Sequence, residues 1–327
     1  MAANSSCAAE NWSTNSYTNA EKLDAWQDMI SVSHLPWTLD KASKEDFNAK
    51  LAYRLFDDYR IIRCECDAQE GFRSIKEISA SDNAYLNLLY VRKGREKLKI
   101  EDRSLWLNEG DMVIWDSTQN MSFHVPDKLE KVSILIPESS LTSVFPTAHD
   151  YSGIIIPENS GVGSLLASHI NNLEKHMWQL ATEDMTAMME PTMAIMAAAF
   201  GSYVNITPNT MRHMTLNRIK KYIGANLQDP SLTPTKIAEA HKITPRYLHM
   251  LFADQETTVG RWINSRRLDR CKDDLIKSIV THQSVSEIAY KWGFNDPSHF
   301  SRSFKKRFRQ SPRGLINAFK LNILSRH

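Results

Sequence analysis

Glu287-Ile-Ala-Tyr-Lys-Trp-Gly-Phe-Asn-Asp-Pro-Ser-His-Phe-Ser-Arg-Ser-Phe-Lys-Lys-Arg-Phe308, followed by Ser311-Pro312, reads as two short helices joined by a tight turn. Val285, Ile288 and Ala289 are apolar at helical spacing, and Trp292-Gly293-Phe294 breaks the run. Asn295-Asp296-Pro297 then opens a second helix with a capping side chain and a proline whose missing N–H is harmless in the first turn. Phe300 and Phe304, four residues apart, share its buried side. The opposite side presents Ser298, Ser301, Arg302 and Lys305.

The same plan stands about fifty residues earlier. Thr233-Pro234 is a cap-plus-proline start, Ile237 and Ala238 face inward, and His241-Lys242-Ile243 is the break before a second such start at Thr244-Pro245. Leu248, Leu251 and Phe252 point inward there, which leaves Arg246, His249 and Met250 outward. Residues 259 to 277 read as one longer helix of roughly 28 Å, comparable with the ~34 Å between successive major-groove faces of B-DNA. Ahead of both units, Leu216, Ile219, Ile223 and Leu227 form an amphipathic stripe ended by Asp229-Pro230. Two tandem helix-turn-helix units result.

Charge divides the chain at the same place. Residues 1 to 211 hold 18 Lys and Arg against 29 Asp and Glu, and residues 212 to 327 hold 22 against 9, so the two parts carry −11 and +13. A basic module gains free energy by releasing counterions from a polyanion, which makes the tail the nucleic-acid binder. A length of 327 residues accommodates two domains.

The stretch from Glu287 to Phe308 with Ser311-Pro312 resembles the signature of the AraC/XylS regulators, and the likeness runs over about residues 213 to 318. The resemblance implies an α+β protein: an N-terminal β-rich, jelly-roll or cupin-like sensor domain with a helical dimerisation pair, then an all-α double helix-turn-helix domain. Two positions depart from the family pattern. Arg309, near the final Ser-Pro, and Lys242, in the first turn, stand where the family has glycine, and a side chain in a left-handed turn costs about 1 kcal/mol. With the fold so read, Arg246, His249, Met250, Ser298, Ser301 and Arg302 are the expected base readers. The two arginines lead, since guanidinium can bond O6 and N7 of guanine together. Arg266, Arg267, Lys305, Lys306 and Arg307 are the expected phosphate contacts.

The N-terminal part shows short β-like runs between residues 51 and 137, at 86–91, 97–100, 112–115 and 132–136, then helical periodicity from 163 to 203 that reads as two packed helices for dimerising. The expected organisation is a disordered lead-in over 1–20, a sensor and dimerisation domain over 21–203, a linker over 204–211 and the DNA-binding domain over 212–327. Tyr85, Trp106, Trp115, Phe123 and His124 are candidates to line an effector pocket. Cys64-x-Cys66 puts two thiols on one strand face, but a structural zinc needs four ligands and no second pair follows. The reading is therefore a cytoplasmic, non-enzymatic, homodimeric activator that needs no cofactor or metal and spans no membrane. Its partners are promoter DNA, RNA polymerase and a small aromatic or amine-type inducer of a catabolic operon. A competing reading, an alkyl-transfer enzyme using a reactive cysteine fused to the same DNA reader, requires an activated thiol near a base.

Overall fold

The computed structural model describes residues 8–40, 47–81, 83–101, 103–204, 208–281 and 283–324. The chain divides into two compact units, Met1–Met214 and Thr215–His327.

In the first unit the strands, in chain order, are β1 (Ala8–Ser13), β2 (Thr38–Leu39), β3 (Ala49–Phe56), β4 (Tyr59–Cys66), β5 (Gln69–Arg73), β6 (Tyr85–Lys93), β7 (Glu96–Ile100), β8 (Arg103–Leu107), β9 (Asp111–Asp116), β10 (Met121–Val125), β11 (Leu129–Pro137) and β12 (Ile155–Pro157). They form a seven-stranded sheet in the order β1-β3-β4-β11-β6-β9-β12 and a five-stranded sheet in the order β2-β5-β10-β7-β8. The sheets pack face to face, with Leu51, Ile62, Leu89, Val113 and Leu135 of the larger meeting Leu98, Leu105, Met121 and Val125 of the smaller. Five helices join them: α1 (Lys22–Ser33), α2 (Ile75–Ser79), α3 (Glu138–Val144), α4 (Gly161–His176) and α5 (Thr182–Val204).

β6 is nearly continuous in apolar residues because its sheet is covered on both faces. Leu86, Leu88 and Tyr90 face Leu166, Ile170 and Leu173 of α4 and the stripe Met185, Met189, Met193, Met196 and Phe200 of α5, while Tyr85, Leu89 and Val91 point between the sheets. The two helices are fastened to each other and to the sheet. His169 Nε2 and Thr192 Oγ1 lie 2.8 Å apart across α4 and α5, and Arg54 Nη1 donates to Leu180 O at 2.7 Å and also to Met177 O, gripping the turn between them.

Two expectations are corrected here. The disordered lead-in does not hold over its described part, because β1 pairs with β3 from Ala8↔Leu55 to Ser13↔Lys50. Thr14 is buried behind it, donating to Ala49 O at 3.2 Å and accepting from Ala49 N at 2.9 Å. An edge strand is held by its backbone, so a polar composition does not forbid it; residues 1–7 lie outside the described residues. The linker also shrinks, since α5 runs to Val204 and the next helix starts at Pro208. Only 205–207, outside the described residues, separates the two.

That next helix, α6 (Pro208–Ala225), is followed by α7 (Pro234–Ala240), α8 (Pro245–Ala253), α9 (Val259–Thr281), α10 (Val285–Lys291), α11 (Pro297–Phe308) and α12 (Pro312–Leu324). Two hydrophobic cores organise the second unit. Leu216, Ile219 and Ile223 of α6 pack with Ile237, Leu248, Phe252, Val259 and Ile263 in one, and Leu268, Cys271 and Leu275 pack with Ile288, Phe300, Phe304 and Leu315 in the other. The first half of α9 belongs to one core and its second half to the other. Its 23 residues give a rod of about 34 Å, longer than the sequence suggested.

Candidate nucleic-acid interface and interior cavity

Both helix-turn-helix units are built by the same local chemistry. Thr233, Thr244 and Asp296 cap α7, α8 and α11, accepting from the backbone N–H of Lys236, Tyr247 and Ser298 at 3.3, 3.2 and 2.7 Å, each with proline as the first helical residue. Ser284 and Glu287 make a reciprocal capping box on α10. The turns match bond for bond. Ile243 N donates to Ala238 O and Phe294 N to Ala289 O, both at 3.0 Å, across left-handed residues at Lys242 (φ 52°) and Gly293 (φ 77°). Lys242 and Arg309 (φ 59°) thus occupy left-handed positions where the family pattern has glycine.

Counted from the caps Thr244 and Asp296, Arg246, His249 and Met250 of α8 fall at the same places as Ser298, Ser301 and Arg302 of α11. Leu248, Leu251 and Phe252 bury one side of α8, and Phe300 and Phe304 one side of α11. Arg246, His249, Met250, Ser298 and Arg302 are exposed, and Ser301 is half-buried at the flank. Arg302 has no acidic partner among the described residues; its Nε donates to Ser298 O at 3.4 Å, one turn back on the same face. His299, which the sequence reading passed over, is exposed beside Ser298. Its signal was its place two positions after the proline of α11.

The expected phosphate contacts separate into two kinds. Lys305 and Lys306 are exposed and make no ion pair among the described residues. Arg307 instead forms a forked pair with Asp269 of α9, at 2.8 to 3.0 Å, and Arg266 reaches the same carboxylate at 3.8 Å while lying over the Trp262 ring at 5.1 Å. Arg267 is corrected outright. Its Nε donates to Leu227 O at 2.9 Å, its Nη1 to Gly293 O at 3.1 Å and its Nη2 to Asp229 O at 2.6 Å. This guanidinium, turned into the fold, ties the segment after α6 to the turn of the second helix-turn-helix. Gly293 is required for that fit: besides its positive φ, a Cβ there would stand 2.8 Å from the Arg267 Cζ. Asp274 of α9 holds the same turn from the other side, accepting from Lys291 Nζ at 2.7 Å and Trp292 Nε1 at 2.9 Å.

In the first unit, a cavity of about 40 Å³ lies between the two sheets, bordered by Trp37, Asn87, Glu96, Trp115, Phe123 and Lys131 among others. Trp115 and Phe123, two of the five expected lining residues, are therefore at the cavity, with Trp37 edge-on to both at ring distances of 5.9 and 5.2 Å. Tyr85 lies in the same core under Arg60 but does not border the cavity. Trp106 and His124 are on the outer face: Trp106 is 41% exposed under Arg95, and His124 pairs with Glu70 at 2.7 Å. Lys131 was not anticipated, because a lysine in a strand reads as solvent-facing. A bulge between Glu130 and Lys131 accompanies its turn inward, where its Nζ donates to both Glu96 oxygens at 2.9 and 3.3 Å.

Such a molecule, an acidic β domain with an interior cavity joined to a basic double helix-turn-helix reader, is a DNA-binding regulator. Residues 26–200 match the AraC-binding-like domain and residues 237–318 a helix-turn-helix domain, and the chain belongs to the AraC/XylS family of transcriptional regulators. It is 28% identical over 280 residues to the transcriptional activator NphR of Rhodococcus sp, spanning 82% of this chain and 81% of that one. Over 111 residues it is 38% identical to the transcriptional activator RhrA of Rhizobium meliloti (strain 1021), 34% of this chain and 35% of that one. The crystal structure of the AraC-like transcriptional activator CuxR shares the fold, with a TM-score of 0.53 at 17% identity over 87% of this chain and 100% of that one. Among the described residues, no helix is long and apolar enough to cross a membrane.

Proposed function

We propose that the protein is an effector-responsive activator of a catabolic operon, induced by a small aromatic or amine-type molecule held between its sheets. The observation that carries the DNA-reading half is the matched outward face of α8 and α11, each standing over its own core and counted from its own cap. Activation is the role in which NphR and RhrA are described, and it is carried over here as part of the reading. Such a protein works in the cytoplasm, beside promoter DNA and RNA polymerase, by binding rather than catalysis. The thiols that a cysteine-based enzyme would need are poorly placed: Cys64, Cys66 and Cys271 are all buried, Cys64 is pushed up by its hydrogen bond with Cys66 and Cys271 by burial, and Cys66, which that same hydrogen bond lowers, is closed into the core between the sheets.

Arg302 reads a base and Lys306 holds a phosphate in this scheme. Arg302→Ala should cost about 1 to 3 kcal/mol on the cognate site and far less on scrambled DNA. Lys306→Ala should weaken both duplexes alike and reduce the salt slope by about one. Titration of both variants against both duplexes at two salt concentrations separates the roles. Equal loss on every sequence for Arg302→Ala would move base reading to Ser298 and Ser301.

The dimer is assigned to α4 and α5, where Leu165 is 66% and Trp178 40% exposed on or just beyond an otherwise well-packed helix pair. Sedimentation of the full-length protein should give a dimer at tens of micromolar; a monomer both with and without DNA refutes the assignment.

A further inference from the structure

Two residues that border the interior cavity each carry a buried polar atom left unsatisfied by the protein. Asn87 and Trp115 stand directly opposite each other on β6 and β9, and both border the cavity. They are 1% and 3% exposed, and neither Asn87 Oδ1 nor Trp115 Nε1 has a hydrogen-bond partner among the described residues. Buried groups of this kind are ordinarily bonded, so a pair of them on facing residues that border one cavity points to a ligand. The charged and amide groups beside them are already engaged. Lys131 and Glu96 neutralise each other, and Gln69 accepts from Trp26 Nε1 at 2.7 Å while donating to Cys66 Sγ at 3.0 Å. His34, bonded to Ser33 Oγ at 3.1 Å, is pushed down to about 3 by burial and by Lys131 and Arg60, and so carries no charge at neutral pH.

We propose that this cavity takes an uncharged small molecule through an amide-like headgroup, whose N–H donates to Asn87 Oδ1 and whose carbonyl oxygen accepts from Trp115 Nε1. The inference rests on the reading of the first unit as an effector sensor and narrows the inducer's chemistry to an uncharged amide, setting aside the amine-type alternative. A carboxylate offers acceptors only and cannot serve Asn87 Oδ1; an ammonium offers donors only and cannot serve Trp115 Nε1. Either ion would also be buried against a wall whose own charges already cancel. The size agrees. A water needs roughly 10 to 15 Å³ by the same measure, so a cavity of about 40 Å³ takes the three heavy atoms of a carboxamide.

The test uses full-length protein and two matched sets at pH 7.5: acetamide, acetate and ethylamine, and benzamide, benzoate and benzylamine. At millimolar concentration an amide should raise the melting temperature by about 3 °C or more, with its charged counterparts giving little. Asn87→Leu should weaken amide binding by at least about tenfold while leaving the ligand-free melting temperature unchanged or higher, because an unpaired buried acceptor has been replaced by an apolar group of similar shape. Trp115→Phe, which keeps an aromatic ring beside Trp37 but removes the donor, should lose the amide response as well. The inference is overturned if a charged analogue stabilises as well as its amide, if no amide shifts the melting temperature, or if the variants bind amide as the unmodified protein does. Those failures leave the DNA-reading assignment intact, since that is judged on duplex binding; loss of duplex binding with a normal amide response would instead overturn the regulator reading alone.

Discussion

Arg267→Ala lowers the stability of the C-terminal unit by about 3 to 5 kcal/mol, as read by urea denaturation. The side chain bonds three backbone carbonyls from two separate segments, at Leu227, Asp229 and Gly293. Hydrogen bonds from a charged donor contribute about 1.5 to 3 kcal/mol each, and three from one planar group add less than their sum. Arg267→Lys recovers less than half of the loss, because one ammonium cannot span a fork of carbonyls. A different outcome would restore the reading the sequence suggested. If Arg267→Ala changes stability by under about 1 kcal/mol yet weakens DNA binding and shallows the salt slope by one, the guanidinium is a phosphate ligand after all.

The fragment 212–327, expressed alone, binds operator DNA, and its affinity falls by about 10³ or more between 50 and 200 mM salt. It carries both reading helices, both cores of the second unit and a charge of +13. Contacts to six or more phosphates by exposed side chains such as Lys305, Lys306 and Arg307 give that slope. A folded fragment that binds no DNA, or binds with no salt dependence, sinks the assignment of DNA reading to this unit.

The second unit was legible because its signals are local. A cap followed by proline at Thr233, Thr244 and Asp296, and pairs such as Phe300 and Phe304, specify a helix start and a buried side within a dozen residues. Arg267 was not legible in that way. On a helix it looks like any surface arginine, and its role depends on carbonyls that folding brings from positions 227, 229 and 293.

The first unit failed where pairing is nonlocal. Nothing in Ala8–Ser13 announces that Leu51 and Leu55 will lie alongside. α1 was likewise overlooked, although Trp26 and Ile30, four apart, are both buried in the core between the sheets. The pocket candidates, by contrast, could have been sorted from alternation alone. Leu105 and Leu107 point inward, so Trp106 between them must point out; Phe123, flanked by Ser122 and His124, goes in with Met121 and Val125. Reading aromatics as a group obscured the period of two.

The larger sheet is one strand layer thick, with the cavity on one face and the helix pair on the other. Leu86 and Leu88 seat α4 and α5 while Asn87, between them, borders the cavity, and on β9 Ile114 and Trp115 divide the same way. Sliding either strand to admit a bulkier guest would unseat a close-packed helix layer on the far side. Divergence toward new inducers is thereby confined to exchanging side chains on a fixed backbone, and the specificity of this pocket can be retuned one residue at a time.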